Sequence, residues 1–297
     1  MIPATRKPVD ASAGFLMVLL CALWGCSHVV TKLVAPDVSL LMQAGLRSSL
    51  ATVLLFLWTR VRGVPLFDRD GTLWPGLMAG LLFAGEFLFI FLGLAHTTAS
   101  RMVVFVYLAP ILTAIGIHFF VPGERLTTRQ WLGVLLAFAG MGTAFGEGFV
   151  SSRGSLLGDT FGVIAAVLWA ATTVWIRATR LTNTGAEKML FYQLAFSAVF
   201  LVAASPLTGE PGVVRWSTMA MSGLVFQGAI VAFASYLAWF WLLTRYRAAN
   251  LSVFGFLTPL FGVAAGVMVL NDPISVTFVF AIALVGGGIF LVNRRAS

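Results

Sequence analysis

The chain has 297 residues, of which 59% are hydrophobic and only 10% charged, and its mean hydropathy is +0.96. A water-exposed globule covers its surface with charge on roughly a quarter of its residues, so this composition excludes that class and leaves lipid as the surrounding medium. The formal net charge of +8 does not point to nucleic acid, because the basic residues lie scattered between apolar blocks and form neither an arm nor a patch.

Apolar stretches of about twenty residues, the length that crosses hydrocarbon, recur down the chain. The first, Ala13–Val34, follows Arg6 and Lys7 as the core of a signal peptide would. Its run from Phe15 to Val30 is long for that purpose and ends in no small-x-small cleavage site, so it is expected to be a retained span. Cys21 and Cys26 within it lie five residues apart on different helix faces; they cannot bridge, have no metal-ligand partners and read as packing residues. Leu40–Arg60, Leu73–Ala95, Ala99–Phe120 and Arg129–Gly146 complete the first half, residues 1–150. Leu157–Arg177, Glu187–Pro206, Ser217–Leu243, Ala248–Leu270 and Ile274–Val292 make up the second, residues 151–297. The expected fold is therefore all-α: a polytopic membrane protein of ten transmembrane helices. Connections such as Ala35-Pro36-Asp37 and Asn271-Asp272-Pro273 are short, so sequential helices should be neighbours.

Sidedness follows from the basic residues. With ten spans, fourteen of the nineteen Lys and Arg residues, from Arg6 and Lys7 to Arg294 and Arg295, fall on one side, and four (Lys32, Arg101, Arg153 and Arg215) on the other. The excess assigns both termini to the cytoplasm and the chain to the inner membrane. Arg47, within the second span between Gly45 and Ser48, reads as snorkelling to the nearby outer surface in preference to a substrate role.

The halves echo each other. Cys21-Ala22-Leu23-Trp24 with Lys32 matches Ala166-Val167-Leu168-Trp169 with Arg177, an offset of 145. Tyr107-Leu108-Ala109-Pro110 matches Phe256-Leu257-Thr258-Pro259 at 149, and Glu124 with Gly140 matches Asp272 with Gly288 at 148. Three matches in order at nearly constant offset indicate a repeat. Five helices per half is an odd number, so the second half enters the membrane inverted, an arrangement typical of carriers that rock about a site at the bilayer midplane.

The Trp24 segment, the Ala109-Pro110 step, the turn Gly123-Glu124-Arg125-Leu126-Thr127 and the helix from Gly133 to Gly140 resemble the EamA-type drug/metabolite transporter superfamily. The resemblance runs from Gly14 to Val292, and Asn271-Asp272-Pro273-Ile274-Ser275 stands where the first half has its Gly-Glu-Arg-Leu-Thr turn. It implies two inverted five-helix repeats around a central cavity lined mainly by helices 1, 3, 4, 6, 8 and 9. The aromatic-rich cavity helices look most like the bacterial aromatic amino-acid exporters.

Candidate substrate-binding residues fall on those helices. Trp24 and His28 share a face of the first span, as do their counterparts Trp169 and Thr173 on the sixth. Both tryptophans lie near mid-span, away from the interfacial belt, and read either as cavity lining or as core packing; Trp58, Trp74, Trp131 and Trp216, near span ends, read as belt. His28 within a span serves a substrate carboxylate, relays a proton, or bonds to a backbone carbonyl or hydroxyl. Glu86 is the acidic residue deep inside a span, either a binding group for a cation or a carboxyl bonding across helices. Its counterpart is Ser235. Tyr107, Gln227, Tyr236 and Trp239 complete the set, each as a cavity group or as interhelical glue. Pro110 and Pro259 should kink the fourth and ninth spans at matching depths and act as hinges. Glu124 is expected to pair with Arg125 and Arg129 at the inner surface, and Gly116, Gly262 and Gly266 to allow close helix packing.

An intramembrane enzyme would need a convergent Ser/His, paired Asp or His-Glu-x-x-His set, and none occurs. A primary pump would need a phosphate-binding Gly-Lys-Ser/Thr loop, also absent. No cofactor is called for. The expectation is a secondary transporter, a monomer in lipid, exporting small organic metabolites, with amino acids favoured and aromatic ones first; a proton-coupled exporter of lipophilic cations is the alternative, and a channel is separable by saturable exchange.

Overall fold

The computed structural model describes residues 7–97, 99–151, 156–270 and 276–294, and their secondary structure is helical, with isolated bridges only at Lys7–Tyr246 and Val38–Val213. Arg6, Arg153, Arg295 and the turn containing Asp272 fall outside these residues. The first half comprises α1 (Ala11–Val34), α2 (Leu40–Arg62), α3 (Leu73–Leu94), α4 (Ala99–Val106), α5 (Ala109–Phe120) and α6 (Thr128–Ser151). The second comprises α7 (Leu156–Ala178), α8 (Ala186–Leu207), α9 (Thr218–Val225), a π-helix (Phe226–Ser235), α10 (Tyr236–Arg245), α11 (Ala248–Ser252), a 3-10 turn (Val253–Phe256), α12 (Leu257–Leu270) and α13 (Val276–Asn293). Among the described residues, eight helical stretches are long and apolar enough to cross a membrane: α1, α2, α3, Arg101–Phe120, α7, α8, Thr218–Arg245 and Ala248–Val269. The protein is thus a multi-span membrane protein. The other two long helices, α6 and α13, pack along each other.

Packing follows the repeat. α1 lies on α12 as α7 lies on α4 and α5; α3 lies on α7 as the α9–π segment lies on α1; α2 pairs with α8, and α6 with α13. Lipid tails are as apolar as leucine, so these helices associate through close backbone approach. A Cβ on Gly288 would come within 2.5 Å of the Gly133 carbonyl, and one on Gly140 within 3.0 Å of the Ala281 carbonyl, two contacts related by the internal symmetry. Gly116 is likewise closed against Val174, at 2.5 Å, and Gly25 against the Thr258–Gly262 segment of α12. Gly262 itself has ordinary clearance, its nearest neighbour being 3.6 Å away.

The fourth and ninth spans are broken, as their prolines predict, but the break precedes each ring. α4 ends at Val106 and α5 restarts at Ala109, with Pro110 in its first turn; the 3-10 turn ends at Phe256 and Pro259 falls in the first turn of α12. Proline lacks an N–H and clashes with the carbonyl four residues earlier, so the irregular backbone lies on its N-terminal side.

Four ion pairs among the described residues link loops or helix ends that the alternation puts on one face. On the arginine-rich face, Arg177 pairs with Glu124 at 3.3 Å and Lys188 with Asp70 at 2.8 Å; on the opposite face Arg101 meets Asp159 and Arg215 meets Asp37. Glu124 corrects the sequence reading. It is buried, pairs with Arg177 and accepts the Ala248 N–H at 2.9 Å, because the loop before α11 folds over it and leaves Arg125 exposed. That loop is also tied to the start of α1: the Lys7 N–H donates to the Arg245 carbonyl at 3.1 Å, and the Tyr246 hydroxyl to Asp10 at 2.8 Å. The Arg177 guanidinium donates to the Tyr246 carbonyl. These bonds tie the start of α1, the turn before α6, the end of α7 and the loop before α11 to one another.

Candidate functional site

The aromatic residues of α1 and α10 meet at mid-depth. Trp24 lies edge-on to Tyr236, with ring centroids 6.1 Å apart, and to Trp239 at 5.9 Å. Its indole N–H donates to the Ser235 hydroxyl at 2.9 Å, so the residue matching Glu86 in the repeat anchors the tryptophan. Ser235 ends the ten-residue π-helix, and its hydroxyl donates to the Val231 carbonyl one turn back. A π stretch of this length is rare and marks functional positions. Phe83 joins Tyr236 at 6.1 Å and Phe87 at 5.2 Å, extending the aromatic surface onto α3.

A second pair forms where α7 meets the break between α4 and α5. Tyr107 lies edge-on to Trp169 at 5.6 Å. It is only 6% exposed, with its hydroxyl beside Thr258 and Cys21, and Glu86 and Tyr236 are near enough to act on it electrostatically. The repeat thus brings Trp24 and Trp169 to related positions with different partners. Thr173, one turn along α7 from Trp169, is buried and joins neither cluster. Cys21 is buried and donates to the Phe254 carbonyl at 3.2 Å, a packing role as expected.

His28 and Glu86 face the same interior. His28 is exposed, has no hydrogen bond to a described residue, and lies within electrostatic reach of Arg47, as Glu86 does. Glu86 is 7% exposed and likewise has no hydrogen bond or ion pair to one. The reading of either as a bonded structural residue does not hold in this conformation.

Gln227 is 1% exposed and donates to the Gln43 side chain at 3.1 Å, whose own amide donates to the Val38 carbonyl at 2.8 Å. This one bond from Gln227 to the Gln43 carbonyl oxygen ties the π-helix to α2, so Gln227 is a strut and lines no accessible space here.

The residue sequence reading misplaced is Arg47. Instead of snorkelling it is 9% exposed, its guanidinium carbon 4.6 Å over the Phe87 ring, beside Tyr236 and within electrostatic reach of Glu86 and His28. The cause is helix packing. Gly45 is pressed against Val202 of α8, where a Cβ would come within 2.5 Å. A residue two further on points about 200° away, into the bundle. Gln43 and Leu50, on the same stripe as Arg47, meet Gln227 and Gly228 of the π-helix. The available signal was the small residue Gly45, which marks the helix face turned to a neighbour.

A groove of about 760 Å³ lies elsewhere, between α3, α8 and the loop 66–71. Its walls include Phe67, Leu73 and Val199, all exposed apolar side chains on the bilayer side, and none of the candidate residues lines it. The candidate polar and aromatic groups converge away from it, around Trp24, Tyr236 and Arg47.

The belt tryptophans Trp58, Trp74 and Trp216 are exposed near span ends, with Arg62 stacked on Trp58 at 5.4 Å; Trp131 is only partly so, packed near His118.

The chain is similar over nearly its whole length to proteins described as transporters. It is 25% identical over 297 residues to an uncharacterized transporter of Bacillus subtilis (strain 168), covering 99% of this chain and 94% of the relative. It is 23% identical to a probable amino-acid metabolite efflux pump of Escherichia coli (strain K12), covering 92% of each, and 23% identical to a protein of the same description in Salmonella typhimurium (strain LT2), covering 94% and 93%. A solved crystal structure superposes with a TM-score of 0.81 over 97% of this chain and 100% of that one at 20% identity, a likeness of fold. The pattern of the EamA-like transporter family matches residues 11–145 and again 156–294, one copy in each half, and the chain therefore belongs to that family of membrane transporters.

Proposed function

We propose that this transporter exports small amphipathic metabolites, amino acids and aromatic ones foremost, from the cytoplasm across the inner membrane. Transport proceeds by alternating access between two inverted halves of five spans each, residues 1–150 and 151–297, and the monomer in lipid is the working unit. The observation that carries the reading is the meeting of the Trp24–Tyr236–Trp239 aromatic cluster with His28 and Glu86 in one enclosed interior. Aromatic faces suit an apolar side chain, and the ionisable groups suit a polar head. The enterobacterial relatives described as amino-acid metabolite efflux pumps support the same substrate class. Ten spans with both termini cytoplasmic are supported by the ion pairs, which join only loops assigned to one side, and by the packing of α6 along α13. Thr173 and Gln227 are assigned to the walls of a second conformation, and the breaks before Pro110 and Pro259 to its hinges.

The second reading, proton-coupled export of lipophilic cations, is favoured by Glu86, whose carboxyl lacks a bonded partner among the described residues. The cation Arg47 within its reach counts against it. Proteoliposomes loaded with labelled amino acids or lipophilic cations, with and without a proton gradient, test both. Saturable amino-acid efflux with counterflow is expected; cation efflux alone would overturn the proposal.

A further inference from the structure

Three ionisable side chains of the interior lie at one depth. At 1.5 Å per residue, His28, Arg47 and Glu86 lie about 9, 10 and 12 Å inside the ends of α1, α2 and α3 on the face opposite the arginine-rich one. Trp24 is one turn deeper than His28 on the same face of α1, and with Tyr236 and Trp239 it forms an aromatic floor beneath the ionisable ring.

Arg47 is buried beside these groups. Its guanidinium lies over Phe87, and its Nε is closed off from solvent with no hydrogen-bond partner. Glu86 acts on the same surroundings from α3 but does not come within the 4.0 Å of a salt bridge. A buried charge with an open donor is unfavourable unless another group completes it. Here opposite charges stand on neighbouring helices without a salt bridge; the Tyr236 hydroxyl lies beside Arg47, and the Arg47 Nε is left without a partner.

We infer that Arg47 binds the α-carboxylate of a zwitterionic amino acid whose ammonium turns to Glu86 and whose side chain lies on the Trp24–Tyr236–Trp239 floor. This rests on the proposed amino-acid export and names the group that decides its substrate class. An amine without a carboxylate leaves Arg47 incomplete and adds a second positive charge beside it. A carboxylic acid without an amine is drawn to Arg47 but repelled by an ionised Glu86. The zwitterion alone satisfies both, and an aromatic side chain completes the floor.

The test compares phenylalanine, phenylalanine methyl ester, phenethylamine and 3-phenylpropionate as competitors of labelled phenylalanine, in reconstituted wild-type, R47Q, R47K and E86Q proteins. Wild type should prefer phenylalanine over the ester and over phenethylamine by about tenfold or more, the range of one charge-assisted hydrogen bond. R47Q should erase that preference while still binding phenethylamine, R47K should restore part of it, and E86Q should erase the preference over 3-phenylpropionate. Phenylalanine transport with the same preferences in R47Q would overturn the role of Arg47 and leave amino-acid export standing. A wild-type protein that moves phenethylamine and no amino acid would overturn the export reading itself. If R47Q fails to fold, the methyl ester comparison on wild type decides: equal affinity for ester and amino acid would overturn the inference.

Discussion

Trp24 sits at the centre of the aromatic cluster formed with Tyr236 and Trp239. It donates one hydrogen bond and makes two edge-to-face contacts, each worth about 0.5–1.5 kcal/mol beyond burial. Trp24→Ala should therefore lower aromatic amino-acid efflux by about tenfold or more, whereas Trp24→Phe keeps the ring contacts and should lose less. Glu86→Gln keeps the size and polarity of the side chain, so it should weaken efflux without abolishing it, as read by initial rates in proteoliposomes. Complete loss in Glu86→Gln with normal rates in Trp24→Ala would reverse the assignment. Outside the membrane, Asp10 is the residue to titrate. The Ala13 N–H, the Ser12 hydroxyl and the Tyr246 hydroxyl, in that order, lower its pKa from 3.8 to about 2. A lowered carboxylate pKa contributes stability above the unfolded value that is lost as pH falls through the folded one. The cap of α1 should thus survive at pH 4 and fail towards pH 2, while Asp10→Asn weakens it already at neutral pH. Hydrogen exchange at the Ala13 amide reads both.

Between elements, the decisive contacts are backbone against backbone. Gly288 approaches the Gly133 carbonyl and the Ala137 nitrogen, atoms that cannot rotate away, so Gly288→Ala must separate α6 from α13. Overpacking of this kind typically costs about 1–3 kcal/mol. Gly286, with nothing within 4 Å of a Cβ, supplies the control, and Gly286→Ala should leave the thermal midpoint in detergent unchanged. The ties on the arginine-rich face depend on Glu124, which links the turn after α5 to α11 and to the end of α7. Glu124→Gln keeps a hydrogen-bond acceptor but removes the ion pair. It should shift the protein toward opening on that face, read as faster modification of a cysteine at Thr258 by an impermeant thiol reagent from that side. Unchanged reactivity would reduce the pair to a structural tie.

Over the whole molecule, helix contacts repeat under exchange of the halves, with α2·α8 and α6·α13 pairing each element with its own counterpart. Superposing the halves should require a half-turn about an axis in the membrane plane, carrying Trp24 onto Trp169. Cysteines at Arg69 and at Trp216 should label from opposite sides of sealed vesicles, Arg69 from the cytoplasm. Labelling of both from one side would remove the odd number of spans on which the inversion depends. Of the expected site, the structure brings together Trp24, Tyr236, Trp239, His28 and Glu86, and it pairs Tyr107 with Trp169. It leaves Thr173 and Gln227 in packed positions.

The membrane class, the apolar spans, the repeat and the proline breaks were determined by sequence alone. Each is a property a segment carries with it: the hydropathy of twenty residues, the echo of one half in the other, a missing N–H at Pro110 and Pro259. The direction of Arg47, the partner of Glu124 and the strut role of Gln227 were decided only by the tertiary structure. A helix states how far apart its residues are in angle but not which angle faces a neighbour. That is set when Gly45 closes on Val202 and Gly25 on α12, contacts made between segments more than 150 residues apart in sequence. The π-helix has the same origin, since its register meets α2 through Gln43 and Leu50 and α1 through Trp24.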